Sequence, residues 1–173
     1  MWGEGVRHQD RIRTLRTMSD ALLHAISNRV ARIRAGDDPQ CIGRMSSGWA
    51  ILAKFQPDGI VGGCMLLPDP VVPSLQHLTR DQRAAFLTDL SLLGDVILAA
   101  TGAEHLNYLI LCNQVPELHG HVVPRFASED PGARNKDPFE AYDFGAARVG
   151  DAVGEDRALF ARLRAELQRV QPT

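Results

Sequence analysis

The chain has 173 residues, of which 45% are hydrophobic and 23% are charged. This length and composition are typical of one globular domain with a packed core. The formal net charge of −2 argues against a broad nucleic-acid-binding surface, so we expect no nucleic acid as a partner.

The cysteines and the N-terminal sequence bear on the cellular compartment. Cys41, Cys64 and Cys112 are scattered without a CxxC pair, which argues against a disulfide framework and favours a reducing compartment. The N-terminal residues MWGEGVRHQDRIRTLR contain no apolar signal core, and no uninterrupted apolar run approaches the ~18 residues of a membrane span. We therefore expect a cytoplasmic protein with no membrane partner.

The first predicted element is a helix from Arg11 to Ala35. Apolar residues recur there at helical spacing, arginines occupy the other side, and Gly36 suits the end of the helix. The residues expected on the apolar face are Leu15, Leu22, Ile26, Val30 and Ile33.

Three short strands are predicted after this helix, near Cys41–Met45, at Trp49–Phe55 (WAILAKF) and at Gly63–Pro68 (GCMLLP). Residues 46–48 form a turn between the first two strands, and residues 57–59 (PDG) break the chain before the third. Short apolar segments separated by Gly and Pro are typical of neighbouring strands in a sheet.

The clearest predicted helix runs from Thr79 to Thr101. Thr79 and Gln82 match a capping box at its start, and Gly102 suits its end. The residues of its expected apolar stripe are Phe86, Leu90, Leu93 and Ile97.

A hairpin is predicted next, with strands at His105–Cys112 and Glu117–Phe126 separated by four residues. The strands must be antiparallel because so short a connection does not permit a crossover. Residues Ala127–Asp151 are rich in Asp, Gly and Pro and are expected to be irregular. A final amphipathic helix is predicted from Gly154 to Val170, with an inward face of Leu159, Leu163, Leu167 and Val170. The fold class is α+β, an antiparallel sheet packed with helices in a single domain.

A row of functional groups lies on the last predicted strand, in the sequence NQVPELHGHVVPRF at residues 113–126. Side chains alternate along a strand, so Glu117, His119 and His121 should project from one face. Gly120 between the histidines could let another backbone approach closely. The row suits either nucleophilic histidine catalysis on a phosphate or a metal site of two imidazoles and one carboxylate. A solvated polar strand face is the third interpretation.

The sequence VPELHGHVVPR at residues 115–125 resembles the signature of the histidine-triad (HIT) nucleotide hydrolases and transferases, which reads His-x-His-x-His followed by apolar residues and often Pro-Arg. The resemblance extends upstream through GWAILAKFQPDGIVGGCMLLPDPVVPSLQHLTRDQ, which looks like the strand, turn, second strand and long helix of that family. It implies an HIT-like domain at residues 39–126, between an N-terminal helical extension (1–38) and a C-terminal irregular segment and helix (127–173).

The resemblance implies a role for each residue of the row. His119 takes the position of the central histidine of the family, the nucleophile that attacks the α-phosphorus. His121 takes the position of the last histidine, which helps to hold the phosphate. Glu117 stands where the family has its first histidine, and it could pair with protonated His121 or donate a proton to the leaving group. We therefore count Glu117 as a third catalytic candidate.

Three further residues are implied as substrate-binding. Asn113 and Gln114 precede the motif, where the family places polar residues close to the sugar and phosphate. Arg125 follows the motif on the same predicted strand and could pair with a phosphate.

The chemistry that this resemblance implies requires no metal or cofactor. A neutral imidazole, with an unperturbed pKa of about 6.5, is a good nucleophile at neutral pH. Its other ring nitrogen must donate a hydrogen bond to a backbone carbonyl, which fixes the tautomer. We expect no zinc, because Cys41 stands alone where a zinc-bearing member would have a CxxC-type cluster.

The implied function is a nucleotide hydrolase or nucleotidyltransferase that acts on the α-phosphate of a nucleoside phosphate derivative through a histidine nucleophile. Its partner would be a small-molecule nucleotide substrate, and the family suggests a homodimer formed through the long helix and central strand. Two alternatives stay open. One is a non-catalytic nucleotide-binding protein on the same fold, and the other is a metal site of Glu117, His119 and His121.

Overall fold

The computed structural model describes residues 22–170. The part of the first predicted helix before Leu22, including Leu15, therefore lies outside the described residues. The helices with defined bounds are α1 (Ala25–Arg34), α2 (Arg80–Thr101), α3 (Pro131–Arg134), α4 (Pro138–Ala141) and α5 (Arg157–Val170). The strands are β1 (Cys41–Arg44), β2 (Gly48–Leu52), β3 (Phe55–Gln56), β4 (Cys64–Pro68), β5 (His105–Leu109), β6 (Gly120–Arg125) and β7 (Arg148–Val149).

The predicted α+β class is confirmed by a five-stranded antiparallel sheet in the order β1-β2-β4-β6-β5. Strand β6 lies between β4 and β5, with Gly120 opposite Leu66 and His121 opposite both Met65 and Leu109. The predicted hairpin of the last two strands is antiparallel, as expected. A second, two-stranded sheet joins β3 to β7.

Helix α2 covers one face of the main sheet, and the signals that predicted it are present in the structure. Thr79 Oγ1 accepts a hydrogen bond from the amide of Gln82, and the Gln82 side chain accepts one from the amide of Thr79. Gly102 ends the helix in the left-handed conformation at φ 72°. The predicted stripe is buried against the inward residues of the sheet and of α5, which include Ala50, Leu52, Leu66, Val122, Leu163 and Leu167.

Helix α5 packs on the same face of the sheet as α2. Its inward residues are those predicted, since Leu163 and Leu167 are buried and Leu159 and Val170 are partly buried in the same core. The helix begins at Arg157 rather than at Gly154. The residues before it form a turn in which the carboxylate of Asp156 accepts a hydrogen bond from the amide of Asp151 at 2.8 Å.

Helix α1 packs on the opposite face, because alternate residues of β2 and β4 point that way. Ile26, Val30 and Ile33 form a second cluster with Ile51 and Leu67. The main sheet is therefore covered by α2 and α5 on one face and, over β2 and β4, by α1 on the other.

The continuous helix predicted from Arg11 to Ala35 is wrong within the described part of the chain. It is interrupted at His24, whose φ of −123° and ψ of 24° are not helical, and α1 starts afresh at Ala25. Leu22, which was expected on the apolar face, is 47% exposed.

Three predicted strands differ from the structure by more than one residue at an end. The strand Trp49–Phe55 is split, since β2 ends at Leu52 and Phe55 belongs to β3 in the second sheet. The strand His105–Cys112 ends at Leu109, and the strand Glu117–Phe126 begins only at Gly120, where its pairing with β4 begins. The connection therefore spans residues 110–119. The segment Ala127–Asp151, predicted to be irregular, contains the short elements α3, α4 and β7.

Helix α2 is also long and apolar enough to cross a membrane, with a mean hydropathy of 1.6 over one 18-residue window. The core helix of a globular protein has the same property. Phe86, Leu93 and Ile97 have no exposed surface here, so packing against the sheet accounts for the apolar character of this helix.

Candidate active site

The two motif histidines lie side by side where the connection enters β6. His119 is the residue before the strand and is 7% exposed, and His121 is the second residue of the strand and is half-buried. Their ring centroids are 4.9 Å apart, with an interplanar angle of 75°. The structure thus brings together the two imidazoles that the sequence predicted as catalytic residues.

The ring of His119 is held by the backbone two residues earlier. Its Nδ1 lies 2.7 Å from the carbonyl oxygen of Glu117. A carbonyl oxygen only accepts hydrogen bonds, so Nδ1 must be the protonated nitrogen. In the neutral ring, the lone pair is then on Nε2, and this is the tautomer expected for a nucleophilic histidine.

The ring of His121 is held in its neutral form. Burial, and to a lesser degree the neighbouring His119, lowers the pKa of His121 from 6.5 to about 4. At neutral pH, His121 therefore offers a phosphate one N–H donor and no positive charge.

The side chain of Glu117 takes a different direction from the one expected. Its carboxylate Oε2 accepts hydrogen bonds from the amides of Ile26 at 2.8 Å and Ser27 at 3.2 Å, and Oε1 accepts one from the hydroxyl of Ser27. Among residues 22–170, the histidine nitrogen that comes within 4.0 Å of this carboxylate is Nδ1 of His24. The expected three-residue row on one strand face is wrong, because Glu117 and His119 precede the strand.

The role predicted for Gly120 also differs in detail. A Cβ at this position would lie 2.6 Å from the Leu90 side chain of α2. The missing side chain therefore makes room for a core leucine rather than for another backbone.

Asn113 and Gln114 are exposed in the connection between β5 and β6. The side chain of Asn113 accepts a hydrogen bond from the amide of Gln114 at 2.8 Å. The preceding residue, Cys112, has the left-handed φ of 51°, which is strained for a residue with a side chain. Contact of Asn113 and Gln114 with a nucleotide stays a prediction.

Arg125 is at the far end of β6 and is bound by protein groups. Its guanidinium donates to the carboxylate of Glu129 at 2.9–3.1 Å and to Oδ1 of Asn107 at 2.7 Å. It also donates to the carbonyl oxygens of Ala133 and Lys136, at 2.9 Å each. Arg125 therefore ties β6 to the segment after it. To contact a phosphate as predicted, the guanidinium would have to break at least one of these hydrogen bonds.

An open cleft of about 540 Å³ lies at this end of β5 and β6. It is separate from the histidine pair, since neither His119 nor His121 belongs to its lining. The lining residues are His105, Asn107, Arg125, Arg134, Asn135, Lys136 and Asp137.

An aromatic pair from the C-terminal segment forms one wall of the histidine site. The ring of Phe139 meets the ring of His121 edge to face, at a centroid distance of 5.5 Å, and Phe144 lies 4.6 Å from Phe139. Phe139 is 39% exposed. These residues were not predicted from the sequence. The only available signal was the presence of two phenylalanines in a polar segment, and it does not indicate which strand they approach.

Searches with the sequence find no matching protein-family model and no matching curated protein. Solved structures do match. A histidine triad protein from Bradyrhizobium japonicum is 22% identical, with a TM-score of 0.61, over 77% of this chain and 93% of that one. A histidine triad protein from Sinorhizobium meliloti is 26% identical, with a TM-score of 0.58, over 73% and 87% of the two chains. A hypothetical histidine triad nucleotide-binding protein from Sulfolobus tokodaii is 18% identical, with a TM-score of 0.61, over 82% and 91%.

This chain has the histidine-triad fold. The match spans most of each solved protein, so the fold resemblance carried by the sequence is confirmed. Within the histidine-triad fold, His119 and His121 come together as the motif predicts, whereas Glu117, at the first motif position, contacts helix α1.

Proposed function

We propose that this protein is a nucleotide hydrolase or nucleotidyltransferase that acts on the α-phosphate of a nucleoside phosphate derivative, with His119 as the nucleophile. The observation that carries the proposal is the 2.7 Å contact between Nδ1 of His119 and the carbonyl oxygen of Glu117. This contact supports a ring proton on Nδ1 and a free lone pair on Nε2, the nitrogen that would attack the phosphorus. The description of the Sulfolobus tokodaii protein as nucleotide-binding supports the choice of substrate class.

The proposed reaction has two steps. The lone pair of His119 Nε2 forms a bond to the α-phosphorus, and the bond from phosphorus to the leaving group breaks with its electron pair going to the leaving group. Water or another acceptor then attacks the nucleotidyl-histidine, and the bond between phosphorus and Nε2 breaks with its electron pair returning to Nε2. The proton lost by the attacking water or acceptor balances the proton taken up by the leaving group. Neutral His121, adjacent to His119, serves as a hydrogen-bond donor to a phosphate oxygen.

The second candidate function is nucleotide binding without catalysis. It is supported by the carboxylate of Glu117, which stands where the sequence resemblance implies an imidazole. The metal-site alternative has less support. The carboxylate of Glu117 is bound to α1, and residues 22–170 contain no group of three or more His, Cys, Asp or Glu placed to hold a metal ion. The homodimer and the cytoplasmic location stay predictions.

Turnover and binding assays on the same protein separate the two candidate functions. Purified wild type is screened against phosphoramidates and polyphosphates of adenosine and guanosine, with nucleoside monophosphate release as the readout. We expect turnover by wild type and by His77→Gln, a control at an exposed histidine outside the site, and none by His119→Ala. Turnover by His119→Ala at the wild-type rate would refute the nucleophile assignment. Nucleotide binding without turnover in wild type would support the non-catalytic alternative.

A further inference from the structure

The side chain and the carbonyl of Glu117 contact two different parts of the molecule. We infer that Glu117 is a positioning residue, whose carboxylate anchors the residues before β6 to helix α1 while its carbonyl orients His119. The catalytic part of this inference rests on the proposed function. The structural part, which is the coupling of α1 to the His119 ring, can be tested without any substrate.

Glu117 caps helix α1, whose own N-cap residue makes no side-chain capping bond. The first residues of a helix have amides without intrahelical partners, and a neighbouring side chain usually accepts from them. His24, at the capping position, makes no such bond, and the first turn contains no acidic residue. The amides of Ile26 and Ser27 donate instead to Glu117, which lies about ninety residues later in the chain.

Charge and burial make this anchor specific. The carboxylate lies at the positive end of the helix dipole, where a negative group is stabilised. Glu117 is 8% exposed, so its hydrogen bonds are largely shielded from competing water. The hydroxyl of Ser27 gives the carboxylate a third donor. A proton-donor role for Glu117 would require these bonds to be rearranged.

The backbone of Glu117 and Leu118 connects the anchored carboxylate to His119. The amide of Leu118 donates to the carbonyl oxygen of Val72 at 2.7 Å, and Leu118 is fully buried. The carbonyl of Glu117 then accepts from Nδ1 of His119. Movement of Glu117 would displace the carbonyl acceptor that fixes the tautomer and the direction of the His119 ring.

Helix α1 therefore takes part in positioning His119. The hydrophobic face of α1 is held on the sheet by Ile26, Val30 and Ile33, and Val115 from the connection packs on the same cluster. Helix α1 is thus a fixed support, and Glu117 is the residue that connects this support to His119.

The test uses Glu117→Ala and Ser27→Ala in the full chain, with Asn28→Ala as the matched control at an exposed neighbour on α1. Hydrogen exchange at the amides of Ile26 and Ser27 reports the anchor, and ¹⁵N chemical shifts of the His119 ring report its tautomer. For Glu117→Ala we expect faster exchange, loss of the single Nδ1–H tautomer and a fall in kcat of about tenfold to a hundredfold. The pH midpoints of the activity should not move.

Ser27→Ala keeps the two amide bonds, so we expect the same changes at smaller size, and none in Asn28→Ala. If Glu117→Ala does not fold, the same measurements on Ser27→Ala test the inference. Unchanged exchange and an unchanged tautomer in Glu117→Ala, or in Ser27→Ala where only that variant folds, would overturn the inference. Loss of one limb of the pH profile with the tautomer intact would overturn it too, in favour of an acid role. If wild type turns over no nucleotide, the proposed function fails. The exchange and tautomer measurements still test whether Glu117 couples α1 to the His119 ring.

Discussion

Acidification should destabilise the fold through His121. Protonation of its half-buried ring is opposed in the folded protein, where the pKa is lowered from 6.5 to about 4 by burial and by His119. A group whose folded pKa lies below its unfolded pKa stabilises the fold fully above the unfolded value. For His121 that stability is lost as the pH falls from about 6.5 towards about 4.

The magnitude follows from the same two pKa values. Each pKa unit corresponds to 1.36 kcal/mol, so the complete loss is about 3 kcal/mol. More than half of this loss of stability has occurred before the pH falls to the lower pKa, and at pH 5 the expected loss is about 2 kcal/mol. The carboxyls of Asp69 and Asp156, whose pKa values are lowered by hydrogen bonds from Arg34 and Arg148, are still charged at pH 5. They therefore contribute little to the change between pH 7.5 and pH 5.

Urea unfolding at pH 7.5 and pH 5 measures this loss directly. We expect the free energy of unfolding of wild type to fall by about 2 kcal/mol more than that of His121→Gln over this interval. His77→Gln, which changes an exposed histidine, should behave as wild type. An equal fall in wild type and His121→Gln would refute the assignment of a depressed pKa to His121.

Three other properties follow from the structure. Phe139→Ala should raise KM for a nucleotide substrate by about tenfold, equivalent to about 1.4 kcal/mol of lost ring contact, and an unchanged KM would show that the aromatic wall does not meet the substrate. Arg125→Ala should lower the free energy of unfolding by about 3 kcal/mol. It removes the cation that pairs with the buried carboxylate of Glu129 and leaves that charge held by the hydroxyl of Tyr142 and the amide of Phe126. Arg134→Ala breaks a more exposed pair with Glu104 and should cost less than about 1 kcal/mol. Elemental analysis should find far less than one equivalent of transition metal, and stoichiometric metal that is lost in Glu117→Ala would instead support the metal site.

Elements governed by local signals could be predicted from the sequence. The bounds of α2 follow from the capping box of Thr79 and Gln82 and from Gly102, and these contacts lie within one helical turn. The strands β1, β2 and β4 follow from short apolar segments between breaks. The motif spacing also placed His119 and His121 together, because residues two positions apart near the start of a strand stay close.

The environment of Glu117 could not be predicted, because it depends on pairing between distant segments. Alternation of side chains along a strand holds only where a ladder exists, and pairing of β6 with β4 begins at Gly120. Before that point the chain is free to turn Glu117 towards α1. The break at His24 is part of the same contact. It puts Ile26 and Ser27 in the first turn of α1, and their amides donate hydrogen bonds to Glu117. Phe139 approaches His121 through tertiary packing that no local pattern encodes.

The most direct test of the central claim is to trap the covalent intermediate on His119. Wild type is mixed briefly with a nucleoside phosphoramidate and quenched without acid, because a bond between phosphorus and imidazole nitrogen is acid-labile. Intact-mass and peptide mass spectrometry then locate any adduct. We expect a nucleotidyl group on the peptide containing His119, and none in His119→Ala. Substrate turnover with no adduct in wild type, or an adduct of equal amount in His119→Ala, would contradict the assignment of His119 as the nucleophile.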